Sequence, residues 1–463
     1  MDTIAKKNNK LGTEPIRQLL LRMALPSVLA QLVNLLYNMV DRAFVGHIAD
    51  VGSLALAGLG IVLPVTMIAT AFSQLVGGGG APRAAIAMGE GHYDRAENIL
   101  GNCFIMLMGI GAALFIFFQV FCDPVLTLFG ASEETLPYAS AYMRIYMCGT
   151  FFVMINLGLN FFITNQGFAK MSMLTTCVGA ILNLILDPIF IYVLDMGVQG
   201  AAIATVISQG VSAVMVMQFL LGKKGFIHIR KKYFRLKKEL VITVLALGCS
   251  PFVMGLTECV VQLTYNITIS QYGDLYVALQ SILFSLIQII WMPLNGFAQG
   301  ATPILSYNYG AGELGRVKQA FKLLFGIDMV VSIGVVALIM IFPQAVLGIF
   351  TDNEALMTMG VLPLRVYIVG MAAMGAQSAC QNTFLALGQA KISMFLACLR
   401  KMFLIWPLAL ILPHLFGLGV WGLFLAEPIA DFIAGTTTFL VFYVRSKVLF
   451  APSKENIKIQ HLD

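Results

Sequence analysis

Charged residues are scarce in this chain: Asp, Glu, Lys and Arg make up 11% of its 463 residues, whereas 59% are hydrophobic. The polar stretches are short, the longest being residues 223–238, so no soluble domain remains beside the apolar runs. A membrane-spanning helix needs about 20 predominantly apolar residues. The composition therefore excludes a soluble protein and predicts an all-α polytopic membrane protein.

Motifs for metal, nucleotide or disulfide chemistry are also missing. The eight cysteines are scattered without CxxC spacing and the five histidines are isolated, a pattern typical of buried apolar cysteines and not of metal clusters. The run VGGGGAP (76–82) lacks the Lys-Ser/Thr of a phosphate-binding loop. It ends a predicted span, where a close helix contact or a hinge is the better interpretation. We expect no cofactor and no catalytic group, and an ion gradient must supply any transport work.

Twelve apolar segments are long enough to cross a bilayer. The predicted spans are 16–44, 54–80, 99–121, 135–165, 170–194, 198–222, 239–269, 276–303, 317–342, 356–387, 391–413 and 418–445. The amino terminus is polar and basic and leads directly into the first span. This arrangement does not resemble a cleavable signal peptide.

Basic residues are concentrated on one side of the predicted membrane. With the amino terminus in the cytoplasm, 26 of the 29 Lys and Arg fall in cytoplasmic segments, and residues 223–238 alone contain eight. The charged residues in the loops on the other side are almost all acidic. The positive-inside rule therefore predicts that both termini are cytoplasmic. Because the basic residues follow topology, the net charge of +6 gives no indication of nucleic-acid binding.

An internal repeat relates the two halves of the chain. An offset of 221 residues pairs Pro82 with Pro303, Gly89 with Gly310, Arg95 with Arg316, Glu133 with Glu354, and the string AKMSM with AKISM. Each copy holds six spans, an even number, so both copies enter from the same side as a parallel repeat. We predict two pseudo-symmetric six-helix bundles around a central cavity: residues 1–222, a cytoplasmic basic linker at 223–238, and residues 239–463 with a short cytoplasmic tail. Rocking one bundle against the other would give alternating access.

Polar side chains inside the apolar runs are functional candidates because such residues are costly in a bilayer. In the first span, four of them share a helix face about 80° wide: Gln31, Asn34, Asn38 and Asp41. We expect Gln31, Asn34 and Asn38 to line the substrate cavity. In the fifth span, Asn183 and Asp187 are four residues apart and precede Pro188, which frees a backbone carbonyl. Asp41, Asn183 and Asp187 supply hard oxygen ligands suited to a proton or a small cation such as Na⁺. The alternative is a hydrogen-bond network that serves only packing.

The second half offers candidates for a cavity wall. They lie on one face each of spans 7, 8 and 10: Glu258, Gln262, Tyr265 and Asn266; Gln280, Gln288, Asn295 and Gln299; Gln377 and Gln381. Glu258 would give a cationic substrate a charge-assisted contact, with simple packing again the alternative. Arg400 and Lys401 lie deep in span 11, where they could pair with Glu427 or Asp431 or snorkel to the cytoplasmic side.

Several strings closely resemble the multidrug and toxic compound extrusion family, especially its bacterial multidrug exporters. They are LVNLLYNMVDRAFVGHI (32–48), FGASEETLPYA (129–139), LGLNFFITNQGFAK (157–170) and ILNLILDPIFI with MGVQGAAIATVISQ (181–209). The resemblance covers nearly the whole chain. It implies twelve helices in two lobes, residence in the bacterial inner membrane, and export of cationic or amphipathic drugs by antiport against H⁺ or Na⁺.

The resemblance also implies an ion-coupling site in the first lobe. Residue by residue, it corresponds to Asp41, Asn183, Asp187, Thr205 and Tyr142. Some relatives carry an acidic residue in span 10, where this chain has Gln377 and Gln381. Glu258 would then be the only acidic member of a second cation site.

Two alternatives remain open. A lipid-linked oligosaccharide flippase of the same superfamily would favour several basic cavity residues to hold a pyrophosphate, and few are found. An integral-membrane enzyme acting on lipids would need a clustered nucleophile, base or metal, and no such cluster occurs in the sequence. We expect a monomer whose partners are small amphipathic or cationic drugs and the lipid bilayer, with no nucleic acid.

Overall fold

The structure, a computed structural model, describes residues 9–48, 52–415 and 417–450. Within these ranges all regular structure is helical. Eleven of the described helices are long and apolar enough to cross a membrane, and a bent helix pair supplies a twelfth span. Their outer faces carry exposed aliphatic side chains such as Val120 and Val330, as expected of surfaces in contact with lipid. The predicted all-α fold with twelve spans is confirmed.

The spans are labelled α1–α12 in chain order. Those of the first lobe are α1 (Ile16–Gly46), α2 (Gly52–Gly89), α3 (Tyr93–Leu128), α4 (Leu136–Cys148 and Thr150–Asn165), α5 (Ala169–Val193) and α6 (Gly197–Leu221). Those of the second lobe are α7 (Lys238–Ser270), α8 (Asp274–Gly310), α9 (Leu314–Ile341), α10 (Glu354–Ala386), α11 (Ala390–His414) and α12 (Val420–Leu449). Short helices precede α1 (Lys10–Thr13) and α10 (Pro343–Gly348).

Several spans are irregular at identifiable positions. The two parts of α4 meet at an angle of 58°. In α5, Pro188 is followed directly by the π-helical turn Ile189–Val193. Proline lacks a backbone donor and clashes with the preceding turn, so the helix widens at this point. Two further π-helical stretches are Met154–Leu159 in α4 and Leu399–Ile405 in the middle of α11.

The run VGGGGAP does not end a span, contrary to the sequence-based prediction. It lies inside α2, which continues to Gly89. A Cβ atom at Gly79 would lie 2.1 Å from the carbonyl oxygen of Val244 on α7. Gly79 is therefore needed where α2 and α7 approach each other, and Gly77 is needed where α2 approaches the carbonyl oxygen of Gly158 in α4, which supports the close-contact interpretation.

The hydrophobic core shows how the lobes meet. One end of the molecule carries the residues between α6 and α7, which we call the linker end. A single core there combines residues of both lobes, among them Leu100 of α3 and Ile304 of α8. Towards the opposite end the core divides into one cluster within the first lobe and one within the second. The two lobes are thus joined at the linker end and separate towards the other.

Close packing between α1 and α8 also lies in the linker-end half. A Cβ atom at Gly300 would lie 2.4 Å from Cα of Ala24, and one at Gly296 would lie 2.8 Å from Cα of Val28. Pro26 lies between these two contacts in α1. The linker-end half of α1 is therefore fixed against the second lobe, although α1 belongs to the first.

The linker is docked on the first lobe. Gln166 Oε1 accepts hydrogen bonds from the N–H groups of Phe226 and Ile227 at 2.7 and 3.0 Å. Asn102 Oδ1 accepts one from the N–H of Lys237 at 2.8 Å. The Glu97 carboxylate accepts a hydrogen bond from the N–H of His228 at 3.2 Å and forms an ion pair with the guanidinium of Arg230 at 2.9 Å. The connection between the lobes is therefore anchored to the first lobe.

Candidate functional site

The five side chains assigned to ion coupling meet inside the first lobe. Asn183 Nδ2 donates to Asp187 Oδ1 at 3.0 Å and to Thr205 Oγ1 at 3.4 Å. The side chains of Thr205 and Tyr142 lie close enough to interact. The carboxyl groups of Asp41 and Asp187 also lie close enough to interact with each other. Helices α1, α4, α5 and α6 thus each contribute to one polar cluster.

This cluster has unused oxygen ligands. Asp41 Oδ1, Asn183 Oδ1 and Asp187 Oδ2 are buried and have no hydrogen-bond partner among the described atoms. Buried polar atoms normally have partners, so three such oxygens in one place form a donor set that a proton or Na⁺ would satisfy. Among the described residues, no group of three or more His, Cys, Asp or Glu could hold a metal ion. The oxygens here come instead from two carboxyl groups and neutral side chains.

A small cavity of about 30 Å³ adjoins the cluster. It is large enough for one or two water molecules or a small ion. Asn34 lines it together with Asn183 and Thr205, and so does Tyr37, which the sequence did not single out. The side chain of Asn38 lies outside the described residues. Asn34, which the sequence assigned to the substrate cavity, therefore looks into the first lobe together with Asp41.

A larger cavity of about 420 Å³ lies between the lobes. On α7 its wall begins at Ser250, just beyond the α2–α7 contact, and continues to Glu258. Six of the side chains predicted to form a cavity wall line it: Gln31, Glu258, Gln288, Asn295, Gln299 and Gln381. Apolar and aromatic residues, including Phe161, Met254 and Trp291, complete the wall. Such a mixed wall suits an amphipathic ligand.

Three predicted cavity residues lie elsewhere. Gln280 is buried and donates to the hydroxyl of Tyr367 at 3.1 Å, because eight residues along a helix rotate it about 80° away from Gln288. Gln377 is buried one turn from Gln381 and donates to it. Gln262 is half-buried one turn beyond Glu258 and outside the wall.

Two further residues of that α7 face also fail to reach the wall. Tyr265 is buried, and its hydroxyl donates to the Leu423 carbonyl at 3.4 Å. Asn266 is exposed outside the cavity.

The second lobe holds a charged cluster that the sequence only partly anticipated. Arg400 Nε donates to Asp431 Oδ1 at 2.8 Å, and Arg400 Nη2 donates to Glu427 Oε1 at 3.2 Å. Of the two alternatives left open for Arg400, the structure shows pairing with α12. Lys401 pairs with Glu258 instead of with α12, so Glu258 is not a free carboxylate. Only the depth of the two basic residues in span 11 pointed to this cluster.

Comparison with known proteins supports this architecture. A sequence model of the MatE family matches residues 26–189 and 252–411. The chain is 26% identical over 431 residues to the multidrug export protein MepA of Staphylococcus saprophyticus, covering 91% of this chain and 93% of that protein. It is 26% identical over 436 residues to MepA of Staphylococcus aureus strain N315, covering 92% and 94%.

Solved structures agree along almost the whole chain. One is described as the outward-facing conformation of a multidrug resistance MATE family transporter of the MOP superfamily, with a TM-score of 0.88 and 25% identity over 96% of this chain and 98% of that one. Another, a MOP superfamily transporter from Pyrococcus furiosus whose binding pocket is described as having reverse polarity, has the same TM-score, identity and coverage. The two lobes, the twelve spans and the matched residues together show that the chain belongs to the MatE family.

Proposed function

We propose that this protein is a multidrug exporter that moves cationic and amphipathic compounds out of the cell by antiport against H⁺ or Na⁺. The relatives are named as multidrug export proteins. The central cavity has the volume and the mixed polar and aromatic wall of a site for drug-sized molecules. Both lobes lie on one chain, so a monomer suffices. We place it in the bacterial inner membrane with the linker end in the cytoplasm, following the distribution of basic residues.

The observation that carries the coupling step is the contact between Asp41 and Asp187. Two carboxyl groups can hydrogen bond only when one of them holds a proton. Without a proton, two adjacent buried carboxylates repel each other unless a cation lies between them. The proximity of the two carboxyl groups therefore supports a bound H⁺ or a bound Na⁺ as the coupling ion.

Helix α1 can transmit the gain or loss of the ion at Asp41 to the drug cavity. Its linker-end half packs on α8 through Ala24 and Val28, whereas Asp41 on its other half contacts α5. Pro26 removes a backbone hydrogen bond within the linker-end half, between the contacts at Ala24 and Val28, and so weakens the helix there. Loss or gain of the ion would therefore reposition the half that carries Asp41 and Gln31, the latter lining the drug cavity. Ion and drug would lower each other's affinity by one shared factor.

The flippase alternative gains no support from the cavity. Its two basic wall residues, Arg400 and Lys401, are paired with three carboxylates. A lipid pyrophosphate would have to displace those carboxylates, whereas sites that hold phosphate usually offer unpaired basic groups.

The test is Asp41→Asn in proteoliposomes loaded with ethidium. The substitution keeps the shape of the side chain but removes the charge that titrates. We expect the wild-type protein to transport ethidium when a pH gradient is imposed. A sodium gradient imposed in a separate experiment identifies the coupling ion. The variant should bind ethidium but lose gradient-driven transport and displacement of bound dye by the ion.

Asp123→Asn is the matched control, because that exposed carboxylate pairs with Arg144 outside the site. This variant should transport ethidium at the wild-type rate. Near wild-type transport by a folded Asp41→Asn variant would show that the polar cluster serves packing alone. If the wild-type protein moves no compound under either gradient, the export function itself is wrong.

A further inference from the structure

The charged cluster of the second lobe is built by an unusual backbone. Arg400 and Lys401 are neighbours in sequence, yet both side chains are buried on the inner side of α11. The π-helical stretch Leu399–Ile405 contains both residues. A π-helical turn is wider than an α-helical turn and is frequent at functional sites. It allows two adjacent basic residues to face the same interior.

The two ion pairs differ in their access to the cavity. The side chains of Arg400, Glu427 and Asp431 are at most 4% exposed, and the guanidinium also lies 5.5 Å from the centre of the Trp291 ring. In the other pair, the Lys401 side chain is 6% exposed but that of Glu258 is 34% exposed. Because Glu258 lines the cavity, a ligand can reach this pair directly.

A simple cation is a poor ligand for Glu258. It would have to displace the Lys401 ammonium, and Lys401 would then be buried without a partner. Breaking a buried ion pair by removing one member is strongly unfavourable. A molecule that carries both an ammonium and a carboxylate avoids this problem, because each of its charges replaces the partner that it displaces.

The charge balance of the wall agrees with this reasoning. Among the described residues that line the central cavity, the charged ones are Glu258, Glu427, Arg400 and Lys401, two of each sign. The wall is therefore bipolar. Asp431, the second carboxylate paired with Arg400, is fully buried and does not line the cavity.

We propose that Glu258 and Lys401 form a bipolar subsite that binds zwitterionic amphiphiles by exchanging their internal ion pair for two ion pairs with the ligand. This inference rests on the proposed export function, and it names a class of ligand that the central cavity binds. The ligand's cationic group, an ammonium or a delocalised aromatic cation, pairs with Glu258, and its carboxylate pairs with Lys401. No covalent change occurs.

Tetramethylrhodamine and its methyl ester are a suitable pair of probes. The free acid is a zwitterion, and the ester is a cation with the same aromatic rings. Binding to the purified full-length protein in lipid nanodiscs is measured by fluorescence polarisation. We expect the wild-type protein to bind the free acid about tenfold more tightly than the ester, the factor expected for one added hydrogen bond between charged groups.

Two variants make the test specific. Lys401→Met leaves Glu258 unpaired and should reverse the preference, so that the ester binds more tightly. The double variant Glu258→Gln with Lys401→Met removes both charges without leaving an unpaired one, so it should fold and bind the two dyes equally.

The subsite is overturned if the wild-type protein prefers the ester or binds neither dye, or if Lys401→Met leaves the ratio of affinities unchanged. Such a failure is distinct from failure of the export function. Ethidium transport under a gradient reports on the latter and does not depend on which dye is preferred.

Discussion

Gly89 of α2 and Gly310 of α8 each pack against a backbone carbonyl of the other helix. A Cβ atom at Gly89 would lie 2.0 Å from the carbonyl oxygen of Tyr307, and one at Gly310 would lie 2.1 Å from that of Ile86. Both the glycines and the two carbonyls are related by the 221-residue offset. The repeat thus builds a symmetric contact between α2 and α8 at the linker end, which only glycine permits.

A methyl group in this contact should open the linker end. Gly310→Ala requires the two backbones to separate by about 1 Å to restore van der Waals distance. We expect a severalfold rise in labelling of Thr302→Cys, a cavity position, by an impermeant maleimide applied from the linker side in a cysteine-free protein. Gly326→Ala is the control, because its added Cβ meets no atom within 4 Å. Equal labelling of both variants would show that this contact does not close the linker end.

The orientation in the membrane can be tested by labelling from outside intact cells. Basic residues favour cytoplasmic loops, so Ser132→Cys and Asp352→Cys should react with an impermeant reagent, and Arg230→Cys in the linker should not. Each is introduced alone after removal of the eight native cysteines. Reaction at position 230 in intact cells, with controls showing that the membrane is sealed, would reverse the topology.

Removing the buried guanidinium should destabilise the second lobe. Arg400→Met leaves the carboxylates of Glu427 and Asp431 buried without their counter-charge, at an expected cost of about 3–5 kcal/mol in the free energy of unfolding. Adding Glu427→Gln and Asp431→Asn should restore most of this loss. Thermal melting in detergent is the measurement.

Arg365→Met provides the control for this prediction, since that arginine is exposed on α10 of the same lobe. Comparable melting temperatures for Arg400→Met and Arg365→Met would contradict the prediction.

The amino-terminal segment is held by the other lobe. Arg316 Nη2 donates to the carbonyls of Leu11 at 3.1 Å and Glu14 at 2.7 Å. Its repeat counterpart Arg95 is exposed and pairs only weakly with Glu90, at 3.5 Å. We expect Arg316→Ala to lower the free energy of unfolding by about 2 kcal/mol, since it removes charge-assisted hydrogen bonds, and to increase hydrogen exchange at residues 10–14.

Arg95→Ala is the matched variant and should change stability by no more than about 0.5 kcal/mol, as is usual for exposed ion pairs. If the two substitutions had the same effect, the segment would not depend on its bonds to the second lobe.

The sequence predicted features that depend on local pattern. Span positions follow from hydrophobic length, and the two lobes follow from the 221-residue offset. Asn183 and Asp187 could be grouped because they lie four residues apart in one helix. The side-chain contacts that complete the first-lobe cluster involve α1, α4 and α6, and the family resemblance was needed to add Thr205 and Tyr142.

Contacts between distant helices could not be predicted in this way. Lys401 pairs with Glu258 from 143 positions away, and its inward direction depends on a π-helical stretch that no composition rule reveals. Gln280 was assigned to the cavity because it was placed on one face of span 8 with Gln288, but the two residues are about 80° apart on the helix and Gln280 points towards α10. The prediction also treated 223–238 only as a connection, whereas specific acceptors on α3 and α4 hold it.

Those acceptors show that the two copies of this duplicated sequence have become specialised. At the corresponding positions of the second copy, Glu97, Asn102 and Gln166 are replaced by Lys318, Leu323 and Leu387. A gene that encoded the copies in reverse order would place the connecting segment next to an ammonium group and two aliphatic side chains. Four backbone N–H groups that now have side-chain acceptors would lose them. The two halves are therefore no longer interchangeable, although they arose as equivalent copies, because only the first carries the side chains that bind the connecting segment.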